Sequence, residues 1–479
     1  MGYSMYYPSL EEIKKRKYEG NLTPVYREIT ADLETPVSAY LKIASGDYSF
    51  LLESVEGGER LARYSFIGTE PSLVLSTGGD NAVDPLLLVE KEFARLKPVD
   101  VDGLPRFHGG MVGYLGYEVV RYFEKLPTPE KDSTGLPESV LMLAYTLLVF
   151  DHLTHTIKVV SHVDLDGDID ASYATAIERI DTLAERLGKP VPPQEPAPPR
   201  PGYPSITSNL TREEYAANVE RARKYIYNGD IIQVVPSQRL SRRTPASPFA
   251  VYRALRSINP SPYMYYLHLR DFHIVGTSPE LLVRLEDGVV SNHPIAGTRP
   301  RNSDTAIDEA LEEELKNDEK ERAEHIMLVD LARNDVGRIS EPGTVEVTQF
   351  MDIERYSHVM HLVSHVQGKL RKGCSQFDAM RACFPAGTVS GAPKIRAMEI
   401  IAELEPDKRG PYAGAVGYFD FSGNMDTAIA IRTIVIKDGI AHVQAGGGIV
   451  ADSVPDTEYQ ESLNKAKALL AAIDRAEAG

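Results

Sequence analysis

The chain has 479 residues, of which 42% are hydrophobic and 25% charged, the composition of a folded protein rather than a disordered or collagen-like chain. Its 52 basic and 69 acidic residues leave a net charge of −17. That charge excludes an electrostatic footprint for nucleic acid or an anionic membrane, and an anionic substrate needs a local cation or metal.

At about 150 residues per domain the length implies two or three domains. The first twenty residues hold no apolar signal-peptide core. The longest apolar stretch, 140–150, is too short to cross a bilayer. Cys374 and Cys383 are the only cysteines, so a disulfide framework is excluded and a reducing, cytoplasmic setting is expected.

In chain order, a glycine-studded stretch at 111–116 comes first. Residues 140–150 and 156–162 then read as two strands joined by a polar turn. Residues 171–187 carry Ile177, Ile180, Leu183 and Leu187 at helical spacing. Eight prolines between Pro190 and Pro204 preclude helix and central strand. This gives an expected division into an N-terminal region, 1–187, a Pro-rich connector, 188–208, and a C-terminal region, 209–479. The C-terminal region opens with a capping box, Thr211 and Glu214, and a helix whose end is marked by Gly229. A β-branched run at 231–235 follows. Further strands are expected at 264–269, 281–285, 345–350, 358–366, 415–421, 429–436 and 440–444, several joined by Asp-Gly turns that favour antiparallel hairpins. Helices are expected at 304–332, 375–383, 393–403 and 456–475. Many strands with little βαβ alternation predict an α+β fold of large antiparallel β-sheets flanked by helices.

Four groupings carry possible chemistry. Glu321 and Glu324 share a helix face, in a segment (303–324) with ten acids against three bases. Charge-dense helices are usually only solvated, but the apolar run at 326–329 follows Glu324 directly. Glu458 and Glu461 repeat the spacing at the start of the last helix, where Thr457 and Gln460 offer a capping box. Acids there also complement a helix dipole, and Glu461 with Lys465 makes an i, i+4 ion pair. Two such carboxylate pairs suit Mg²⁺, which takes oxygen ligands and leaves room for an anionic substrate. Gly446, Gly447 and Gly448 formally match a dinucleotide fingerprint with Ala451, but Asp452 and Pro455 intervene before any helix and too little chain follows. They read instead as backbone amides exposed to an anion. His358, His361 and His365 would form a zinc set on a helix. Their valine-rich setting favours strand, on which only His361 and His365 share a face. Neither cysteine has a thiolate-activating neighbour in sequence, and neither G-x-S-x-G nor a P-loop occurs.

Taken together, PIAGTRPR (294–301), ERAEHIMLVDLARNDVGRI (321–339), YSHVMHLVSHVQG (356–368), FPAGTVSGAPKIRAMEII (384–401), YAGAVGYFDFSGNMDTAIAIRT (412–433) and QAGGGIVADSVPDTEYQESLNKAKA (444–468) resemble anthranilate synthase component I, one of the chorismate-utilising enzymes. LLES (51–54) and GGMVGYLGYE (109–118) resemble that family's N-terminal companion domain. The resemblance implies conversion of chorismate and ammonia to anthranilate and pyruvate, in tryptophan biosynthesis. It implies Mg²⁺ as cofactor, held by Glu324 and Glu461 with Glu321 and Glu458 assisting. Tyr412, Arg432 and the amides of Gly446, Gly447 and Gly448 would hold the enolpyruvyl carboxylate, and Gly297 and Thr298 would line the ring. Glu280 is implied as general acid, His361 as the residue assisting pyruvate loss, and Thr388 as a hydrogen-bonding partner of the substrate. Ser54, Pro262, Tyr263 and Met264 match a tryptophan feedback site. A chain with no Trp suits an enzyme needed when tryptophan is scarce. The expected partner is a separate glutamine amidotransferase subunit, in a heterotetramer, because no glutaminase nucleophile is found.

Two positions separate this reading from its nearest alternatives. Relatives that make isochorismate carry Lys where this chain has Gln233, and aminodeoxychorismate synthases usually carry Lys where it has Ala296. Aminodeoxychorismate synthase is the alternative enzyme, and a tryptophan-binding regulator without catalysis the alternative of another class.

Overall fold

The structure is a computed structural model that describes residues 5–54, 63–193, 205–356 and 359–479. Two sheets of antiparallel ladders dominate it. The first, of 11 strands, runs in the order Leu22–Thr30, Thr156–Asp164, Leu147–Asp151, Tyr64–Thr69, Tyr48–Glu53, Tyr263–Leu269, Phe272–Ser278, Thr433–Lys437, Ile440–Gly446, Ser237–Arg243 and Thr207–Ser208. The second, of ten strands, runs Ile295–Pro300, Val359–Lys369, Val289–Asn292, Leu281–Glu286, Met425–Ile429, Ala415–Asp420, Gly110–Leu115, Ser139–Ala144 and Leu73–Thr77, with Glu346–Arg355 also paired to Val359–Lys369. The α+β class expected from the sequence is the one observed.

Strand alternation explains how the sheets pack. On Tyr263–Leu269, Tyr265, Leu267 and Leu269 point inward, where they meet Val112, Met142 and Val416 of the second sheet. Met264 and Tyr266 point outward into a second core, formed with the helices Pro36–Ile43, Ile169–Leu187, Pro248–Ile258 and Pro455–Ala478. The outer face of the second sheet is covered by Pro85–Phe93, Arg212–Tyr227, Glu319–Ile339, Gln376–Cys383 and Lys394–Leu404.

Both sheets draw strands from before and after the Pro-rich stretch. Tyr48–Glu53 pairs with Tyr263–Leu269, and Gly110–Leu115 with Ala415–Asp420. The two regions of the sequence are therefore joined by continuous hydrogen-bonded ladders. Residues 194–204 of the connector lie outside the described residues.

Several elements differ from expectation. The apolar stretch 140–150 is two strands, Ser139–Ala144 and Leu147–Asp151, and they belong to different sheets. A run buried on both faces carries no alternation to mark that crossing. The expected strand 429–436 breaks at Arg432, whose φ is +50°, leaving Met425–Ile429 and Thr433–Lys437. The run 231–235 yields only the two-residue strand Gln233–Val234. The helix expected at 304–332 is two, Thr305–Asn317 and Glu319–Ile339. Asp318 ends the first and caps the second, accepting from Lys320 N at 3.0 Å and Glu321 N at 3.1 Å. The last helix starts at Pro455 without a side-chain cap, so the box expected at Thr457 does not form. A proline in the first turn needs no donor partner. The capping box at Thr211 forms as expected. The Asp287-Gly288 and Asp438-Gly439 turns have positive φ at both residues, as hairpin turns of this composition require.

Leu267, wholly buried between the sheets, reports on their packing. Leu267→Ala is expected to cost about 2–5 kcal/mol, read as a lower urea midpoint with unchanged slope, the two regions unfolding in one transition.

Candidate active site

A cavity of about 500 Å³ opens at the junction of the two sheets. Glu319–Ile339 brings Glu321 and Glu324 to it, and the first turns of Pro455–Ala478 bring Glu458 and Glu461. The break at Asp318 starts the first of these helices anew, one residue before Glu319. Glu324 accepts from Gln233 Nε2 at 3.3 Å. Burial raises its carboxyl above the usual range and the nearby Glu321 and Glu461 charges add to this, while Gln233 opposes it. Glu458 is also raised, first by burial, with Glu461 adding and the Ser453 hydroxyl opposing. Glu461 is paired to Lys465 at 2.8 Å, the i, i+4 pair anticipated from spacing, and Glu321 faces Arg299 at 3.3 Å. Among the described residues no three metal-ligating side chains already converge. Two carboxylates nevertheless crowd Gly447, where a Cβ would lie 3.1 Å from Glu458 Oε2 and 3.5 Å from Glu461 Oε1. Like charges held this close, one with its proton affinity raised, form a donor set suited to a hard divalent cation.

The opposite charge comes from Arg432, which lines the same cavity. Burial lowers its affinity for the proton, and among the described residues no carboxylate lies within ion-pair distance of it. A half-buried guanidinium without a counter-ion is an anion site. Tyr412 lines the wall with it, its phenol pushed up to about 12 by burial. Gly446 and Gly448 line the cavity as well. A Cβ at Gly448 would come within 2.0 Å of Gln233 Nε2, so glycine here keeps the Gln233–Glu324 contact possible.

His361, on Val359–Lys369, lines the cavity, and its Nδ1 lies 2.8 Å from Gly297 O. A carbonyl only accepts, so Nδ1 carries the proton and Nε2 is the basic nitrogen. Burial holds this imidazole below its usual value, against the Gly297 hydrogen bond, and Arg432 adds to the lowering. Gly297 has φ +66°, and the strand slips register between Ala296 and Arg299, which turns Gly297 and Thr298 into the cavity wall. Glu280, between Phe272–Ser278 and Leu281–Glu286, is buried, which pushes its carboxyl up to about 8, while the Thr388 hydroxyl pulls the other way. A carboxyl protonated at neutral pH in a cavity is a proton donor.

His365 does not join His361: its Nδ1 bonds the Thr348 hydroxyl at 2.6 Å. His358 lies outside the described residues. Cys383 is buried, which raises its thiol. Sequence reasoning missed Gln444, Lys320 and Val235 on the cavity wall. Gln444 stands beside the Gly446–Gly448 stretch already singled out, which was the available pointer.

A second cavity, of about 170 Å³, collects Ser54, Pro262, Tyr263 and Met264. The pairing of Met264 with Glu53 brings these segments together. Phe66, Phe107 and Tyr418 supply aromatic walls, and Arg284 pairs with Asp426 at 2.8 Å beside Tyr263. The Ser54 hydroxyl is buried there without a partner among the described residues.

Comparison with known proteins identifies the family. The family described as chorismate binding enzyme matches residues 47–471. Anthranilate synthase component 1 of Acetivibrio thermocellus is 49% identical across 98% of this chain and 99% of its own length. The protein of the same name from Pseudomonas aeruginosa is 51% identical, again over 98% and 99%. The crystal structure of anthranilate synthase component I from Streptococcus pneumoniae TIGR4 superposes with a TM-score of 0.77 at 38% identity, covering 92% of this chain and 98% of that one. The menaquinone-specific isochorismate synthase MenF of Escherichia coli, at 20% identity and a TM-score of 0.70, shares the fold. Among the described residues no helix is long and apolar enough to cross a membrane. The chain belongs to the chorismate-binding enzymes, with relatives named anthranilate synthase component 1.

Proposed function

We propose that this chain is the anthranilate synthase large subunit, converting chorismate and ammonia to anthranilate, pyruvate and water for tryptophan biosynthesis. The observation that carries the reading is one cavity with a half-buried guanidinium, Arg432, that has no ion-pair partner among the described residues, and four carboxylates, Glu321, Glu324, Glu458 and Glu461. Chorismate is a dicarboxylate. Arg432 with Tyr412 and the Gly446–Gly448 backbone would hold its enolpyruvyl carboxylate. Glu324 and Glu461 would hold Mg²⁺, with Glu321 and Glu458 assisting, and Glu461 would have to release Lys465 to do so. The ion would supply the positive charge that a ring carboxylate needs among these acids.

Ammonia adds at C2, the ring double bonds shift, and the C4 hydroxyl leaves as water. Glu280, protonated at neutral pH, supplies the proton that this hydroxyl takes. In the second step a base removes the C2 proton and the enolpyruvyl group departs as pyruvate, which aromatises the ring. The Nε2 lone pair of His361 suits that base, since its Nδ1–H is fixed by Gly297 O. The absence of lysine at Gln233 and at Ala296 favours ammonia as nucleophile and anthranilate as product over aminodeoxychorismate. The second cavity, with aromatic walls, acidic groups and the free Ser54 hydroxyl, suits L-tryptophan as feedback inhibitor. A glutamine amidotransferase subunit, in a heterotetramer, would deliver the ammonia.

The direct experiment follows anthranilate fluorescence with chorismate, Mg²⁺ and an ammonium salt. Signal is expected, abolished by EDTA and suppressed by tryptophan; chorismate consumed without anthranilate would instead indicate aminodeoxychorismate synthesis. Glu324→Gln should lower kcat/KM on the order of 10²-fold. At fixed free ammonia, kcat should fall as pH rises through about 8, where Glu280 ionises. Glu280→Gln should remove that limb and lower kcat about 10²–10⁴-fold. Ser54→Ala should raise the tryptophan concentration for half-inhibition about tenfold, the loss of one hydrogen bond.

A further inference from the structure

Gln444 lies on Ile440–Gly446, is 8% exposed and lines the active cavity. Its amide Nε2 donates to Ser237 Oγ at 2.8 Å, and its Oε1 is buried without a partner among the described residues. The polarity of that amide is fixed by donor counting along a buried chain. Arg409, which has no acceptor, donates from Nε to Glu405 Oε2 at 2.8 Å and from Nη2 to Glu405 Oε1 at 2.6 Å. Both carboxylate oxygens therefore accept. The Ser237 hydroxyl, 2.9 Å from Oε1, spends its single proton there. It can only accept from Gln444, so the NH₂ group of Gln444 faces Ser237 and its carbonyl oxygen is left over.

We propose that Gln444 is a further substrate-binding residue, whose Oε1 accepts a hydrogen bond from the ring hydroxyl of chorismate. The assignment rests on the chorismate reading of the cavity. Chorismate offers two carboxylates and an enol ether, all acceptors, and one donor, its C4 hydroxyl. An acceptor locked in place repels the carboxylates and fits only that hydroxyl. Ammonia is the other donor in the reaction. Among the described residues two other polar atoms on the cavity wall are buried without a partner, Gln233 Oε1 and Thr388 Oγ1. Gln233 bonds Glu324, a carboxylate whose company suits a small basic molecule, and Thr388 Oγ1, a hydroxyl, can donate as well as accept. Gln444 lies instead on the wall with Tyr412, the two also meeting in a small adjoining pocket. Holding the hydroxyl there orients the group that must leave, and discriminates against ring analogues without it.

The test is a cycle between protein and ligand, with binding measured by calorimetry on the Mg²⁺-loaded chain without ammonia. The ligands are chorismate and its analogue lacking the 4-hydroxyl. Gln444→Leu should weaken chorismate about tenfold and leave the deoxy analogue unchanged. Ser237→Ala, which frees the amide to turn, should weaken chorismate by a smaller factor with the same selectivity, and it carries the test if Gln444→Leu does not fold. Equal weakening of both ligands, no weakening of either, or a raised KM for ammonia with unchanged chorismate binding overturns the assignment. If the unmodified chain binds neither ligand, the chorismate reading fails first and the assignment with it.

Discussion

The wall of the larger cavity hangs on one buried cation. The Arg409 guanidinium is nearly inaccessible, and four of its five N–H donors are engaged. It grips Glu405 twice, donates to Val389 O at 2.8 Å and to Val235 O at 2.6 Å, and lies over the rings of Tyr117 and Tyr412. Its own backbone N–H and that of Gly410 donate to Glu118, a carboxyl that burial pushes up to about 7. Charge taken this far from water is tolerable only when fully paired and bonded. The requirement fixes three segments relative to one another: the one after Gln233, the turn holding Thr388, and the one holding Tyr412. Each contributes a residue to the cavity.

Within that frame the cavity wall carries four carboxylates with Lys465 and Lys320, and also Arg432, which among the described residues has no carboxylate within ion-pair distance. That guanidinium reconciles a strongly acidic chain with an anionic substrate. Net charge says nothing about the sign at a particular wall, because a half-buried guanidinium without a counter-ion outweighs distant, screened surface acids. Burial also separates the proton chemistry. It raises Glu280 so that it keeps a proton and lowers His361 so that it stays neutral, giving an acid and a base in one site at the same pH.

The two cavities share backbone. Tyr263, in the smaller one, pairs with Ser278, two residues before Glu280. Asp426, also in the smaller one, lies on Met425–Ile429, and Ile429 N donates to Glu280 O at 3.0 Å. Strands cannot shift one end without disturbing the ladder between, so a ligand that alters the smaller cavity acts on elements that also carry Glu280.

The sequence by itself determined the α+β class, the capped helix at Thr211, the Asp-Gly hairpins and the residue types of the site. These are local facts, written in periodicity, turn chemistry and motif spacing. The motifs resembling the chorismate-utilising enzymes located His361, Glu280, Arg432 and the four carboxylates by number, although nothing in their spacing says that they meet. Only the tertiary structure decided that 140–150 crosses from one sheet to the other, because a fully buried run looks the same on either side. It alone placed the break at Arg432, since an arginine at positive φ has no sequence signature and is held by its surroundings. It alone oriented Gln444, whose free oxygen follows from a donor count through Ser237, Glu405 and Arg409, residues up to 207 positions apart in the chain. Hydrogen-bond polarity passes through space, so no reading along the chain recovers it.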